Sequence, residues 1–206
     1  MELGPVVEPI QSGDDPFQIL MVCTANICRS PGAERLLALE LSRRDLSEDL
    51  YLKISSAGVR GWIAQPMDPA AAEALERRGG TARGFKSRPL TQQIVDSASL
   101  ILTATREHRS EVVETYPRAL RRTFTMKEFA HLASLPGTAD AVDAQGQLSA
   151  TDLVASAYRH RGGRRLTDLD VADPYGGTTA QHDRAMGEIH ACVRQIAVAL
   201  ATCTHP

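Results

Sequence analysis

The chain has 206 residues, enough for one domain with a substantial hydrophobic core, and its 43% hydrophobic and 23% charged residues are ordinary for a globular protein. Its formal net charge of −2 gives no global reason to expect binding to nucleic acid or to an anionic membrane, and its four cysteines are too few for a disulfide scaffold. No apolar run approaches the roughly 20 residues of a membrane helix, and the N-terminus lacks a signal-peptide pattern, so a cytoplasmic protein is expected.

The amino-terminal part divides into a tail and a strand-loop-helix unit. Residues 1–16 mix Pro, Gly and acidic side chains without periodicity, which predicts a flexible tail before a folded domain over residues 17–204. The apolar run FQILMVC, residues 17–23, predicts a strand buried on both faces. Residues 30–44 predict a helix with Ser30 as its N-cap and Pro31 as its first residue.

Strand and helix patterns alternate through the rest of the chain, which predicts a parallel sheet covered by helices. The predicted elements are strands at 52–58 and 99–104, helices at 68–79, 105–116, 126–133 and 149–160, and a surface loop at 136–146. Asp68 is the expected cap of the first of these helices. A final helix is predicted after Thr178, because Thr178 and Gln181 have the spacing of a capping box.

The segment CTANICRS, residues 23–30, which we call the phosphate loop, connects the first predicted strand to the first predicted helix. Inward-facing N–H groups and the helix dipole would make such a loop an anion site, where a thiolate is favoured over a thiol. Cys23 is therefore the candidate nucleophile, and Arg29 the clamp for phosphate oxygens. Asn26 suits a left-handed backbone, and Ser30 can also donate its hydroxyl to the sulfur. The expected phosphate-binding residues are Thr24, Ala25, Asn26, Ile27, Cys28, Arg29 and Ser30.

The phosphate loop resembles the active-site loop of the low-molecular-weight protein tyrosine phosphatases, whose pattern is close to V-C-x-G-N-x-C-R-S-P. The segments SSAGVRGW, PMDPAA, FKSRPL and DPYGG follow in the family's order, so the resemblance covers most of the chain. It implies a three-layer α/β sandwich with a central, mostly four-stranded parallel sheet and the phosphate loop after the first strand. It also implies hydrolysis of phosphotyrosine in a partner protein through a phosphocysteine, with no cofactor. Whether the protein forms a weak homo-oligomer is left open.

The DPYGG segment, residues 173–177, contains the expected general acid. The family's general acid is the Asp of a D-P-Y motif, which corresponds to Asp173. A phenolate leaving group needs a proton, and Pro174 holds the residue before it extended. The resemblance also implies that Trp62 and Tyr175 contact the substrate ring, although packing explains both equally well.

Several positions depart from the family pattern. Ala25 replaces the usual loop glycine, so the backbone there must avoid a glycine-only conformation. Phe85 and Thr105 stand where the family often has a His and an Asp that brace the loop, which leaves the bracing in doubt. Residues 131–165 form a longer connection than usual. The basic run at 159–165 is expected to be solvated surface, with steering of acidic phosphopeptides as the alternative.

Two other functions remain as alternatives. Thiol-linked arsenate reductases share this fold, but they relay oxidation to further cysteines, and this chain has none between Cys28 and Cys192. A catalytically weak phosphotyrosine-binding relative would be expected to lose Cys23, Arg29 or Asp173.

Cys28 could trap an oxidised Cys23 as a disulfide. No metal site is expected, because the loop cysteines lack a second close pair and no His stands at ligand spacing to them.

Overall fold

The computed structural model describes residues 16–44, 52–138, 148–162 and 166–203. The predicted tail lies outside the described residues except for Pro16. The same holds for residues 139–147 and 163–165 of the longer 131–165 connection. Within the described residues, no helix is long and apolar enough to cross a membrane.

Four parallel strands form the central sheet, in the order β2-β1-β3-β4. The strands are β1 Phe17–Cys23, β2 Leu52–Gly58, β3 Leu100–Thr103 and β4 Thr123–Thr125. Ile19 of β1 lies opposite Ile54 on one side and Leu100 on the other, and Cys23 lies opposite Gly58. The sheet confirms the predicted four-stranded parallel architecture.

Seven helices accompany this sheet in the part of the chain that the structure describes. They are α1 Arg29–Ser42, α2 Pro69–Glu76, α3 Gln92–Ser97, α4 Arg106–Thr115, α5 Met126–Ala133, α6 Ala150–His160 and α7 Thr179–Leu200, and a 3₁₀ turn spans Pro117–Arg122. The caps predicted at Asp68 and Thr178 are confirmed: Asp68 accepts the Ala71 N–H at 3.0 Å, and Thr178 forms a capping box with Gln181.

Strand β1 separates two hydrophobic cores, as the alternation of side chains along a strand requires. Ile19, Met21 and Cys23 belong to the core that contains residues of α1 and α7. Leu20 and Val22 face a second core with residues of α3 and α4. Because β1 is covered on both faces, its carboxyl end is held rigidly, and the phosphate loop starts from a fixed position.

The predicted capping role of Ser30 is wrong. Helix α1 begins at Arg29 with Cys28 at the N-cap position, and no side chain among the described residues caps it. Ser30 therefore lies inside the first turn, where its hydroxyl is 3.0 Å from the sulfur of Cys23. The first-turn N–H groups of a helix have no intrahelical acceptor, so leaving them uncapped keeps them available to an anion.

Candidate active site

The site lies at the carboxyl edge of the sheet, where β1 stands between β2 and β3. In open α/β sheets, ligands bind at this edge where the strand order reverses. The phosphate loop follows β1, and the segments after β2 and β3 flank it. The segment before α7 closes the site through the Val171 N–H, which donates to the Ala104 carbonyl at 2.9 Å.

The carbonyl groups of the phosphate loop point away from its centre. The carbonyls of Cys23, Thr24, Ala25 and Ile27 accept hydrogen bonds of 2.9–3.1 Å from the N–H groups of Val59, Arg60, Trp62 and Asp68, respectively. In a planar trans peptide, the carbonyl and the following N–H point in opposite directions. The N–H groups of Thr24, Ala25, Asn26 and Cys28 therefore face the other way, which is the arrangement that an anion-binding loop needs.

Asn26 holds the loop in shape. Its φ is +60°, the left-handed conformation predicted for it, whereas Ala25 has no positive φ, so replacement of the usual glycine is tolerated. The Asn26 amide donates to the hydroxyls of Ser30 at 2.9 Å and Ser56 at 2.8 Å, and its oxygen accepts the Arg88 N–H at 2.9 Å. Ser56 in turn donates to Glu34 at 2.6 Å. These contacts supply the bracing that the family pattern had left in doubt.

The two positions that depart from the family pattern have other contacts. Phe85 is buried in the core, with the Arg35 guanidinium 5.9 Å from its ring centroid. Thr105 caps α4, and its hydroxyl lies 2.7 Å from Nδ1 of His108. Among the described residues, neither forms a hydrogen bond with the Asn26 side chain, which is held by Ser30, Ser56 and Arg88 instead.

Arg29 is buried beneath the loop, with only 4% of its surface exposed. Its Nη1 donates to the Val171 carbonyl at 3.1 Å, and its Nη2 donates to Thr24 Oγ1 at 3.3 Å and forms a 2.8 Å ion pair with Asp173. Its Nε is also a donor, and it is buried and has no hydrogen-bond partner among the described residues. An unpaired buried donor is costly, and an oxygen of a bound anion would satisfy it.

His108, which sequence reasoning missed, joins the loop to the start of α4. Its Nε2 lies 2.8 Å from Thr24 Oγ1. Burial, and then the positive charge of Arg29, lowers the pKa of His108 to about 4, so its ring is neutral at physiological pH. Thr24 thus links this histidine to Arg29. The two residues are 84 positions apart in the chain, so the sequence near His108 does not indicate this contact. The sequence shows only that a histidine lies on the helix predicted after β3.

The mouth of the site is aromatic. Trp62 and Tyr175 are 46% and 56% exposed, with ring centroids 5.9 Å apart and ring planes 87° apart. Together with Ile27 they line a pocket of about 300 Å³ that also includes Cys23, Arg29 and Asp173. The fold therefore brings every predicted catalytic and ring-contact residue to one pocket. Arg60 on its rim, paired with Glu111 at 3.1 Å, was not predicted.

Cys28 lines this pocket and also a second, small cavity that contains His182. All four cysteines of the chain are free thiols. Burial, and then the negative charge of Asp68, raises the pKa of the Cys28 thiol above its ordinary value. The Cys28 sulfur, a carboxylate oxygen of Asp68 and a ring nitrogen of His182 all lie within 4.8 Å of one another. The prediction of no metal site relied on spacing along the chain, which cannot reveal that α7 carries His182 to this loop.

Several known phosphatases resemble this chain. The family described as low molecular weight phosphotyrosine protein phosphatase matches residues 18–143. The low molecular weight protein-tyrosine-phosphatase Etp of Escherichia coli K12 is 34% identical over 118 residues, 57% of this chain and 74% of Etp. The protein-arginine-phosphatase of Bacillus subtilis is 29% identical over 181 residues, 88% of this chain and 95% of that protein. A solved cysteine-to-serine mutant of the YwlE arginine phosphatase, with a phosphorylated active-site serine, matches with a TM-score of 0.67 at 27% identity, covering 89% of this chain and 95% of that one.

Proposed function

This chain belongs to the low molecular weight phosphotyrosine protein phosphatase family, and we propose that it hydrolyses phosphotyrosine in proteins through a covalent phosphocysteine at Cys23. Family membership establishes a phosphatase acting on phosphorylated proteins. The identity of the nucleophile, the acid and the substrate side chain is proposed from the pocket. The phosphorylated active-site serine in the YwlE mutant supports a covalent step at the equivalent position of the loop.

In the first step, the Cys23 thiolate attacks phosphorus in line with the leaving oxygen. The inward-facing amides of the phosphate loop and the guanidinium of Arg29 bind the nonbridging oxygens and stabilise the charge of the transition state. The Ser30 hydroxyl, 3.0 Å from the sulfur, stabilises the thiolate before attack and again when it leaves. The unpaired Nε of buried Arg29 is the observation that carries this proposal, because a phosphate oxygen is the acceptor it lacks.

Asp173 is the proposed general acid. It is 52% exposed at the pocket mouth, and its carboxylate pairs with Arg29 at 2.8 Å. A phosphate dianion bound to Arg29 competes for that pairing, and the released carboxylate takes a proton from solvent, which the resulting carboxylic acid then donates to the leaving phenolate. In the second step, Asp173 takes a proton from water as that water attacks the phosphocysteine, which releases inorganic phosphate and regenerates the Cys23 thiolate.

The walls of the pocket favour an aromatic substrate side chain. Ile27, Trp62 and Tyr175 present apolar and aromatic surface between the mouth and the phosphate loop. A phenyl ring can fill such a slot while its phosphate reaches Cys23, whereas the shorter phosphoserine side chain would leave this surface uncovered. This supports phosphotyrosine as the substrate.

Phosphoarginine is the second candidate, because the arginine phosphatase of Bacillus subtilis aligns with 88% of this chain and Etp with 57%. A guanidinium group can also stack on Trp62 and Tyr175. Ile27 counts against it, because this apolar side chain offers no acceptor to the guanidinium N–H groups at the pocket wall. We therefore rank phosphotyrosine first.

Phosphate release in the presence of EDTA tests the proposal with three substrates: a phosphotyrosine peptide, its phosphoarginine counterpart and para-nitrophenyl phosphate. Cys23→Ser should abolish turnover of all three. Asp173→Ala should lower kcat on the phosphotyrosine peptide by about 10²- to 10⁴-fold, and less on para-nitrophenyl phosphate, whose leaving group needs little protonation.

Retained turnover in Cys23→Ser, or dependence on an added metal, would overturn the mechanism. A higher kcat/KM for the phosphoarginine peptide would leave the mechanism intact and reassign the substrate. Because the two peptides differ only in the phosphorylated residue, the ratio of their kcat/KM values measures the preference of the enzyme for one phosphorylated side chain over the other.

A further inference from the structure

We propose that Cys28, Asp68 and His182 form a divalent metal site, suited to Zn²⁺, behind the phosphate loop. The three side chains come from separate parts of the chain: the loop, the N-cap of α2 and the first turn of α7. Their ligand atoms lie within 4.8 Å of one another. This inference does not depend on the proposed reaction, because Asp68 and His182 are not among the residues that line the pocket, and Cys28 has no role in the proposed proton or phosphoryl transfer.

The unpaired nitrogen of His182 is the strongest argument for a ligand. His182 is 2% exposed, and its buried Nδ1 has no hydrogen-bond partner in the described part of the chain. The nearest carboxylate oxygen, on Asp68, is 3.7 Å away, which is beyond hydrogen-bond distance. A buried polar atom without a partner is costly, so this geometry calls for something between the imidazole and the carboxylate.

The donor set matches zinc. Thiolate, imidazole and carboxylate are the ligands that Zn²⁺ takes in proteins, and these three side chains would fill three of the four positions of its tetrahedron. Ligands bound at about 2.0–2.3 Å are about 3.3–3.8 Å apart in a tetrahedron. The separation of 3.7 Å between His182 and Asp68 already meets this requirement. Binding would convert the Cys28 thiol to a zinc thiolate and release one proton.

The surroundings orient the ligands in advance. Asp68 accepts the Ala71 N–H at 3.0 Å through Oδ1, and its own N–H donates to the Ile27 carbonyl at 2.9 Å, so its carboxylate is fixed next to the loop. Cys28 and His182 line a small cavity together with Pro174, which follows the proposed acid. A bound ion would therefore tie the loop to the start of α7 and block oxidation or alkylation of Cys28.

Metal binding is tested on the full-length, reduced, metal-stripped protein by competition with a chromogenic zinc chelator. Co²⁺ then serves as a spectroscopic probe, because thiolate ligation adds a charge-transfer band in the near ultraviolet. Wild type should bind one Zn²⁺. Cys28→Ser and His182→Ala should each weaken binding at least tenfold, and Cys28→Ser should also remove the Co²⁺ charge-transfer band.

Two matched controls separate this site from other thiols and histidines. His190→Ala, on the same helix, should bind as wild type does, and so should Cys23→Ser, which removes the other thiol of the phosphate loop. Asp68→Asn keeps a capping side chain but removes the charge, so it should weaken zinc binding in a folded protein, as judged by circular dichroism. Binding that disappears in Cys23→Ser but survives in His182→Ala or Asp68→Asn would overturn the proposal, as would the lack of one-to-one binding at micromolar Zn²⁺.

Discussion

At the scale of single residues, Asn26 combines two roles that substitutions can separate. Its left-handed backbone, φ +60°, shapes the phosphate loop, and its amide bonds to Ser30 and Ser56. Asn26→Gly removes the side chain but keeps the backbone free to adopt this φ, whereas Asn26→Ala loses both. We expect Asn26→Ala to be less stable than Asn26→Gly by about 1 kcal/mol, measured by urea unfolding.

Both Asn26 variants should also lose activity on para-nitrophenyl phosphate, because the Ser30 hydroxyl beside Cys23 loses the amide that orients it. Equal stability of the two variants would show that the left-handed backbone carries no strain here. Wild-type activity in either variant would show that the amide contacts do not position the loop.

The residues that could be predicted are those whose role is visible in local sequence. Cys23 and Arg29 share one short loop, and Asp173 precedes a proline in a recognisable motif. His108 and His182 could not be predicted in the same way. Each is an isolated histidine on a helix, and only the packing of those helices brings it against Thr24 or Cys28.

At the scale of secondary-structure elements, the end of β2 presses directly on the phosphate loop. A Cβ atom on Gly58 would lie 2.3 Å from the Thr24 carbonyl oxygen and 2.9 Å from the Asn26 nitrogen. Both atoms belong to backbone, so neither can rotate away. Gly58 is therefore required by close approach rather than by an unusual φ.

Gly58→Ala should separate β2 from the loop. We expect a loss of about 1–3 kcal/mol in the free energy of unfolding and at least a tenfold loss of kcat/KM on para-nitrophenyl phosphate. Gly162→Ala is the matched control, because a Cβ there meets no atom of the described residues within 4 Å. If Gly58→Ala and Gly162→Ala behave alike in both measurements, the close packing of β2 against the loop has no functional consequence.

The predicted elements were correct where their own sequence stabilises them. Asp68 and Thr178 cap their helices as expected, and the long apolar β1 lies at the centre of the sheet. Strand β4, with three residues, and helix α3, with six, were not predicted. Such short segments carry little periodicity, and β4 forms because it pairs with the already buried β3. Ser30 was misassigned because its serine-proline pattern resembles a helix cap.

At the scale of the whole molecule, the two hydrophobic cores lie on opposite faces of one sheet, and ion pairs connect neighbouring elements. Glu40 of α1 is buried, yet it contacts Arg44 at 2.7 Å and His190 of α7 at 3.0 Å. Burial opposes ionisation of Glu40, but hydrogen bonds from Arg44 and then His190 outweigh it and lower its pKa to about 2. Glu40 and His108 therefore link global stability to pH in two different ranges.

The free energy of unfolding should fall in two stages as the pH decreases. His108 has a pKa of about 4 in the folded protein, against an ordinary value of 6.5, so the unfolded chain binds its proton first and stability declines between these values. This stage should cost about 2–3 kcal/mol. The Glu40 carboxylate contributes stability above its ordinary value of 4.5, and this is lost as the pH falls towards about 2.

Urea unfolding at pH values from 7 to 3 separates the two contributions. His108→Gln should flatten the decline between about pH 6.5 and 4, because glutamine does not titrate. Glu40→Gln should keep that decline and reduce only the loss below about pH 4.5, which makes each variant the control for the other. An unchanged slope above pH 4.5 in His108→Gln would mean that the neutral histidine beside Thr24 and Arg29 is not what limits acid stability. The decline in stability above pH 4.5 would then be assigned to other titrating groups.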